Sequence, residues 1–558
     1  MNSSLVCSAS CVRSVIRSLV VLAALGGTSA AVASQALQQV PGQLAHVSIG
    51  ADGTVWGLNG LEDIYAYDTS TSTWTQIPGA LTQVAVGSSG AIWGLNGGGD
   101  IYRWTSGGWQ NVPGALAHIA VGGDGDVWGL IGSAQIYHYI AATNGWTQIP
   151  GALAQIAVGS AGAVYGVNSS GYIYWYNPGT RSFQQLTSTN GFTQVAAGID
   201  GDVWAVKSNV AYHYNVLRNT MTATTGTIAS VAVGSGAAVY GLGPSGEVYQ
   251  WDATSQTWAQ ISGVLSSIAV GANGTMWGVS GAGNIYQLAG APTRAVNTLN
   301  VIPGAVIDQI SVGADGSVWA VSSNTVKYFN SGTQSFEAVP SSPSMSQVSV
   351  SAHADVWGVY CPLNSGSSCT IYQYNPTAGN WTPIPGSLNL IQVAANGAVW
   401  GINAAGDIYT YNGSNWVNTP GQLGTLSVGA DGAVWGINGN LDVYEYRGSW
   451  VNVPGASELT EISVGNANDI WGVNINNQIY NFNTATQQWV SIPGQLDEVW
   501  TSFDGAVWGA DADNNLYRWN AAAGTFDVIG TNQSYAILGN AVNVWGVNAA
   551  TGAVSLWF

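Results

Sequence analysis

A repeat is the tightest constraint on this chain. Pro113 to Pro150 reads PGALAHIAVGGDGDVWGLIGSAQIYHYIAATNGWTQIP. Four short apolar stretches lie inside it: LAHIAVG, DVWGL, QIYHY and GWTQIP. Each is rich in β-branched or aromatic residues and bounded by Gly, Asp, Asn or Pro, as strands separated by turns are. Asp124-Gly125 supplies the positive-φ residues of a tight hairpin. The unit recurs at an aromatic followed by Gly or Ala: Trp56, Trp93, Trp128, Tyr165, Trp204, Tyr240, Trp277, Trp319, Trp357, Trp400, Trp435, Trp471, Trp508 and Trp545. Successive marks are 35 to 43 residues apart. A four-stranded unit at this period, with no helical pattern, is the signature of propeller blades, which stack because one twisted sheet cannot bury both faces alone.

The expected fold is therefore all-β, two tandem seven-bladed β-propellers. Fourteen blades are too many for one ring, since blade packing favours roughly four to eight. The long gap from Trp277 to Trp319 holds LAGAPTRAVNTLN, with seven marks on either side. This predicts an N-terminal propeller over residues 34–290 and a C-terminal one over 291–558. A six-and-eight division is the alternative, and it would put the linker inside a blade. Residues 34–44 match only the end of a repeat, and the final AVSLWF only a third strand. That phase predicts closure of each ring by an early strand, residues 34–44 completing the seventh blade and 295–304 the fourteenth. Closure removes exposed sheet edges.

These motifs carry a resemblance. G-x-D-G-x-V-W-G, then N-x-x-G-x-I-Y, then W-x-x-I-P-G-x-L, seen first at Trp56-Gly57, Ile64-Tyr65 and Trp74 to Leu81, resemble the tectonin repeat family over residues 34–558. The resemblance implies a β-propeller, often secreted and often a lectin, with relatives among fish-egg-lectin-like defence proteins and fungal proteins that recognise methylated sugars. Intracellular members act as interaction modules, so fold alone does not settle function. Several repeats depart from the pattern. The fifth and eighth are one residue short before their third strand, Lys327 replaces the strand Tyr, the tenth reads as having a shortened first hairpin (VAANGAVW), and Trp500 stands where Ala or Ser is usual.

Aromatic faces suit the C–H face of a sugar, yet a Trp repeated on an inner strand is expected to fill the wedge between blades. The outer-strand Trp74, Trp109, Trp146, Trp258, Trp381, Trp416, Trp450 and Trp489 are more exposed candidates, with packing again preferred. The Asp-Gly series (Asp52, Asp124, Gly201 with Asp202, Asp315, Asp431, Asp504) offers mostly one carboxylate per repeat, too few for calcium; a hairpin turn accounts for it. The best candidates for a glycan-binding surface lie in the loop after the Trp. Asn59 with Asp63, Asn96 with Asp100, Asn403 with Asp407 and Asn438 with Asp442 pair an amide donor with a carboxylate acceptor. The competing explanation is an Asn in a left-handed turn position bonding its own backbone. Asn168, Asn474 and Asn548 occupy the same place.

Residues 1–33 read as a secretory signal peptide: Arg13 and Arg17, the apolar Leu19 to Leu25, then Ala31-Val32-Ala33. The apolar run is too short to span a bilayer. Removal of that segment leaves Cys361 and Cys369, whose spacing in an exported chain predicts a local disulfide. A metal site with His353 fits no zinc spacing, and no metal or cofactor is expected. Nor does a nucleophile elbow, zinc helix motif or phosphate loop appear. The five His are scattered, with His46 and His118 at equivalent positions. The chain reads as a non-enzyme, although carboxylates converging from different blades stay open.

Ten cations against 28 acids give a net charge of −18, which repels nucleic acid and anionic membranes. That favours neutral glycans over lipopolysaccharide phosphates. Two expectations result: a secreted, multivalent lectin for neutral glycans, O-methylated ones included, or an extracellular protein-binding scaffold.

Overall fold

The computed structural model describes residues 35–557 apart from 133, 291–298, 354, 363–368, 457, 531–535, 541–542 and 549–550. The expected signal peptide and the expected boundary near residue 291 therefore lie outside the described residues. Apart from one 3-10 turn at Ala141–Thr143, every described element is a strand, and the strands form fourteen four-stranded antiparallel sheets. Blades are numbered here along the chain, and strands outward from the ring axis. In blade 1 the four strands are His46–Ile49, Val55–Leu58, Asp63–Asp68 and Thr73–Ala80.

Two sheets break sequential order, and they close the rings. Ala36–Gln43 pairs with Asn284–Ala289, so that Val40 faces Ile285 and the strand becomes the outermost of blade 7. Leu299–Val306 pairs with Ala553–Trp557 and completes blade 14. Each ring thus holds seven sheets, with an early strand fastened to a late one, as the phase of the repeat requires.

Aromatic rings lock neighbouring blades. In eleven blades the second-strand Trp meets the third- and fourth-strand aromatics of the next: Trp56 lies 5.3 Å from Trp104 and 5.7 Å from Trp109, and Trp435 lies 4.9 Å from Phe482 and 6.0 Å from Trp489. The series wraps around, Trp277 of blade 7 meeting Trp74 of blade 1 at 5.8 Å. These are edge-to-face contacts, the arrangement the ring quadrupole favours. Second-strand Trp128, Trp204, Trp319 and Trp508 are wholly buried. The outer-strand Trp residues are spent on the same contacts, so both Trp series are packing residues.

Polar side chains on the innermost strands supply a second lock. Gln83 Oε1 accepts the N–H of Ile119 at 3.1 Å while its Nε2 donates to the same residue's carbonyl at 2.8 Å. Gln155, Gln194 and Gln309 clasp Val195, Val231 and Val348 in the same way. Each clasp satisfies one backbone donor and one acceptor that a gap between sheets would otherwise orphan.

The Asp-Gly turns do more than turn. Asp52 Oδ1 accepts the N–H of Thr54 within its own hairpin, while Oδ2 accepts the N–H of Ser89 in blade 2 at 2.7 Å. Asp124 reaches Ala161, Asp315 reaches His353 and Asp431 reaches Ala467. The hairpin alone is thus an incomplete account: these four carboxylates also tie their blades to the next, and in blade 5 Asp200, not Asp202, does so by accepting the N–H of Gly236. The tenth hairpin is not shortened. Val393 pairs with Val399 as Ile49 pairs with Val55, and Asn396 takes the Asp position. Around the axis the blades approach so closely that a Cβ on Gly159 would lie 2.0 Å from the Gly198 carbonyl oxygen.

The disulfide between Cys361 and Cys369 is present. Among the described residues, no helix is long and apolar enough to cross a membrane.

Candidate functional site

The loop between second and third strands is built the same way in blades 1, 2, 10 and 11. Asn59 Oδ1 accepts the N–H groups of Leu61 and Asp63, both at 2.9 Å, and Asn59 Nδ2 donates to Asp63 Oδ2 at 2.8 Å. Asn96 bonds Gly98 and Asp100 identically, with 2.9 Å between amide and carboxylate. Asn403 with Asp407 (3.0 Å) and Asn438 with Asp442 (3.1 Å) repeat the arrangement. The Asn side chain therefore caps its own turn. It is not the left-handed residue, however: positive φ falls three residues later, at Glu62, Gly99, Gly406 and Leu441. Strain is carried at the loop's far corner, leaving Asn and the acid free to face each other.

Two further blades hold the same couple in forms that a search for Asn and acid misses. In blade 12, Asn474 Nδ2 donates to Gln478 Oε1 at 2.9 Å. In blade 13 the roles are exchanged: Asp511 accepts from the backbone of Asp513 and Asn515, and Asn515 Nδ2 donates to Asp511 Oδ2 at 2.9 Å. The signal was present in the sequence as the same five-residue spacing with the two residue types swapped.

Six residues after the first member of each couple stands a half-buried Tyr: Tyr65, Tyr102, Tyr409, Tyr444, Tyr480 and Tyr517. Register places Tyr65 opposite Gly57 and Tyr409 opposite Gly401. In blade 13 the Tyr517 hydroxyl donates to Asp511 Oδ2 at 2.9 Å. The bonds from Asn403 and Gln422 hold the Asp407 carboxyl below the usual range. Burial would raise Asp511, but its bonds from Asn515, Tyr517 and Asp513 outweigh that and lower it. Each unit thus presents an oxygen acceptor, a carboxylate in every blade but the twelfth, with an amide donor and an aromatic face, a set able to hold vicinal hydroxyls beside an apolar C–H surface. Blades 5 and 8 lack it. Their shorter loops are two-residue turns with positive φ at Ser208-Asn209 and Ser323-Asn324.

The opposite face of each ring is covered by the other ring. Ala314, Ala352, Ala395, Ala430 and Phe503, at one repeat position in five blades of the second ring, gather against Tyr165, Trp175 and Tyr214 of the first. Asn177 Nδ2 donates to the Ala395 carbonyl at 2.8 Å, Ser331 Oγ to Asp202, and the Tyr374 hydroxyl to the Leu217 carbonyl. His353 of the second ring enters the aromatic pocket, 4.4 Å from Trp175 and 5.5 Å from Tyr214. Burial pushes its pKa below the ordinary histidine value, offset in part by Asp315. His353 is thus a docking residue, and among the described residues no group of His, Cys, Asp and Glu is placed to hold a metal ion.

Cavities of about 320 and 720 Å³ lie between the rings. Each is lined by an Asp–His pair bonded to a buried Trp. Asp126 accepts from Trp128 Nε1 and bonds His138, whose ring stacks on Trp128 at 4.2 Å. Asp202 does the same with Trp204 and His213. Asp124, packed beside Asp126 and facing Asp504, is raised to about 7, by burial first and by those neighbours second. None of these docking residues was singled out for this role from the sequence. Ile199 and Phe503 were detectable as bulky exceptions at a position that elsewhere holds mostly Ala, Ser or Gly.

The tectonin domain profile matches residues 24–185, 88–256, 175–338 and 389–554. No curated protein matches the chain. Among solved structures, the extracellular domain of the BT4673 one-component system from B. thetaiotaomicron is similar at 12% identity, covering 94% of this chain and 82% of that one, with a TM-score of 0.36. YCF48 from Cyanidioschyzon merolae aligns at 16% identity over 47% of this chain and 98% of its own, TM-score 0.37. PorZ of Porphyromonas gingivalis aligns at 11% identity over 93% and 86%, TM-score 0.34.

Proposed function

The chain belongs to the tectonin family, and on that premise we propose that it is an exported, non-enzymatic lectin binding neutral glycans, O-methylated ones included, at its second-to-third-strand loops. One observation carries the reading: six blades keep the same amide–acceptor couple beside a half-buried Tyr, although packing demands only the Asn-to-backbone bonds. A couple that is hydrogen-bonded before any ligand arrives loses little side-chain entropy on binding. Individually weak sites then add through multivalency. The acidity of the chain supports a neutral ligand. Export is supported by the charged and apolar pattern of residues 13–33 and by the Cys361–Cys369 disulfide.

A protein-binding scaffold is the second reading. Its specific support is Val417, Val451 and Val490, exposed at the residue after the outer-strand Trp in blades 10, 11 and 12, where Thr75, Gln110 and Thr147 stand in the first ring.

The test is an array of neutral saccharides, each free and O-methylated, probed with residues 34–558. Saturable binding confined to one sugar type, insensitive to salt and weakened by Asp63→Ala or Asp407→Ala, is the expected result. A blank array with folded protein removes the lectin reading in favour of the scaffold.

A further inference from the structure

The way the rings dock decides what a multivalent lectin of this shape can do. Inter-ring contacts come from two kinds of loop, those joining first to second strands and those joining third to fourth. A Cβ on Gly162 would lie 2.3 Å from the Ala314 carbonyl oxygen, and one on Gly201 2.3 Å from that of Asp315, both first-to-second-strand loops. Asn177 and Gly179, Leu217 and Arg218, and Ser331 and Gly332 belong to third-to-fourth-strand loops and touch the other ring. In an antiparallel sheet these two kinds of loop share one end of the strands, and the second-to-third-strand loops occupy the other.

Both rings therefore spend the same face on each other. The loops carrying Asn59–Asp63 and Asn96–Asp100 in the first ring, and Asn403–Asp407 and Asn438–Asp442 in the second, are left on outward faces turned away from one another. Leu61, at the tip of the blade 1 loop, is 81% exposed. Trp175 and Tyr165 of the first ring are buried in one cluster with residues from five blades of the second.

We propose that the protein is a bridge: its two rings engage neutral glycans on two separate surfaces and crosslink them, instead of adding avidity on one. This rests on the lectin reading. The first ring contributes blades 1 and 2. The second contributes blades 10 to 13, an unbroken run of four.

The experiment uses the full mature chain with red and green beads coated with mannan or with O-methylated mannan. Bound protein is read by antibody, and bridging by mixed-colour aggregates in flow cytometry. Asp63→Ala/Asp100→Ala disables the first ring and Asp407→Ala/Asp442→Ala/Gln478→Ala/Asn515→Ala the second, while the bonds from Asn59, Asn96, Asn403, Asn438, Asn474 and Asp511 to the backbone that shape each loop stay in place. The expected result is mixed aggregation by the parent chain, lost at least tenfold in either variant while each still coats beads. Coating by the parent chain without aggregation overturns the bridge and leaves the lectin reading standing. Aggregation that survives either variant also overturns it, since self-association then does the crosslinking. Failure to coat either bead overturns both.

Discussion

Glu461→Gln is expected to stabilise the second ring, and only above acidic pH. Glu461 stands on the innermost strand of blade 12, at the position where Gln83, Gln155, Gln194 and Gln309 clasp the next blade through one N–H and one carbonyl. Its carboxyl accepts the N–H of Val499, so half of the clasp is made. An ionised carboxylate has no hydrogen to offer the Val499 carbonyl. Burial, followed by the charge of Glu498, raises the Glu461 pKa well above the ordinary value. The sign follows from the direction of that shift. The folded state holds the proton more tightly than the unfolded chain, so the stability contribution is full below the ordinary glutamate range and is lost as pH rises through the raised value. Glutamine offers both halves of the clasp at any pH. Restoring one hydrogen bond and removing a buried charge is worth about 2 kcal/mol. For a unit of this size that is roughly 4–8 °C in Tm. Calorimetry at pH 4 and pH 7.5 is the assay, with the upper or lower transition assigned to the second ring by its response to Trp435→Ala. The substitution should raise Tm at pH 7.5 and leave it nearly unchanged at pH 4. A loss of Tm, or an equal gain at both pH values, would refute the clasp argument. The converse change, Gln309→Glu, should lower Tm at pH 7.5 and spare it at pH 4.

The remaining predictions concern the ring interface and the axis. Asp124, raised to about 7 by burial and by Asp126 and Asp504, costs stability as pH climbs from about 4 to 7, so Asp124→Asn should flatten the fall in Tm over that window; a parallel fall in the variant would exclude it. Gly159→Ala should destabilise the first ring by several kcal/mol, because the new Cβ meets backbone, which has nowhere to yield. Gly90→Ala, with nothing within 4 Å of its added Cβ, should be neutral by the same denaturant titration.

Much of the fold was legible because a propeller repeats its constraints. An aromatic at the second strand fills the wedge blade after blade, so Trp56, Tyr165 and Trp508 announce the same thing at a near-constant period, and a register that begins on strand four reveals ring closure. The candidate loops were visible for the same reason where Asn and Asp kept their order. In blade 12 Asn474 was recognised without its partner Gln478, and blade 13 was missed, because Gln478 and the exchanged Asp511–Asn515 preserve the hydrogen bond and not the letters. Docking was not legible. Trp175, His353 and Asp202 occupy ordinary repeat positions, and their partners lie in the other ring, related by no period. Two physical clues existed, Ile199 and Phe503 at a small-residue position, but nothing local says what a large side chain there will touch.

Ring closure also sets an order of events during synthesis. Ala36–Gln43 leaves the ribosome before any other described strand, yet its partner Asn284–Ala289 is the last of the first ring. At about 5–20 residues per second it waits tens of seconds as an unpaired edge. Leu299–Val306 waits in turn for Ala553–Trp557. A nascent chain halted anywhere before its closing strand therefore carries an open sheet with a ready template for another chain. Loss of the residues from Ala553 onward would reopen the second ring and leave the strand pairing of the first complete.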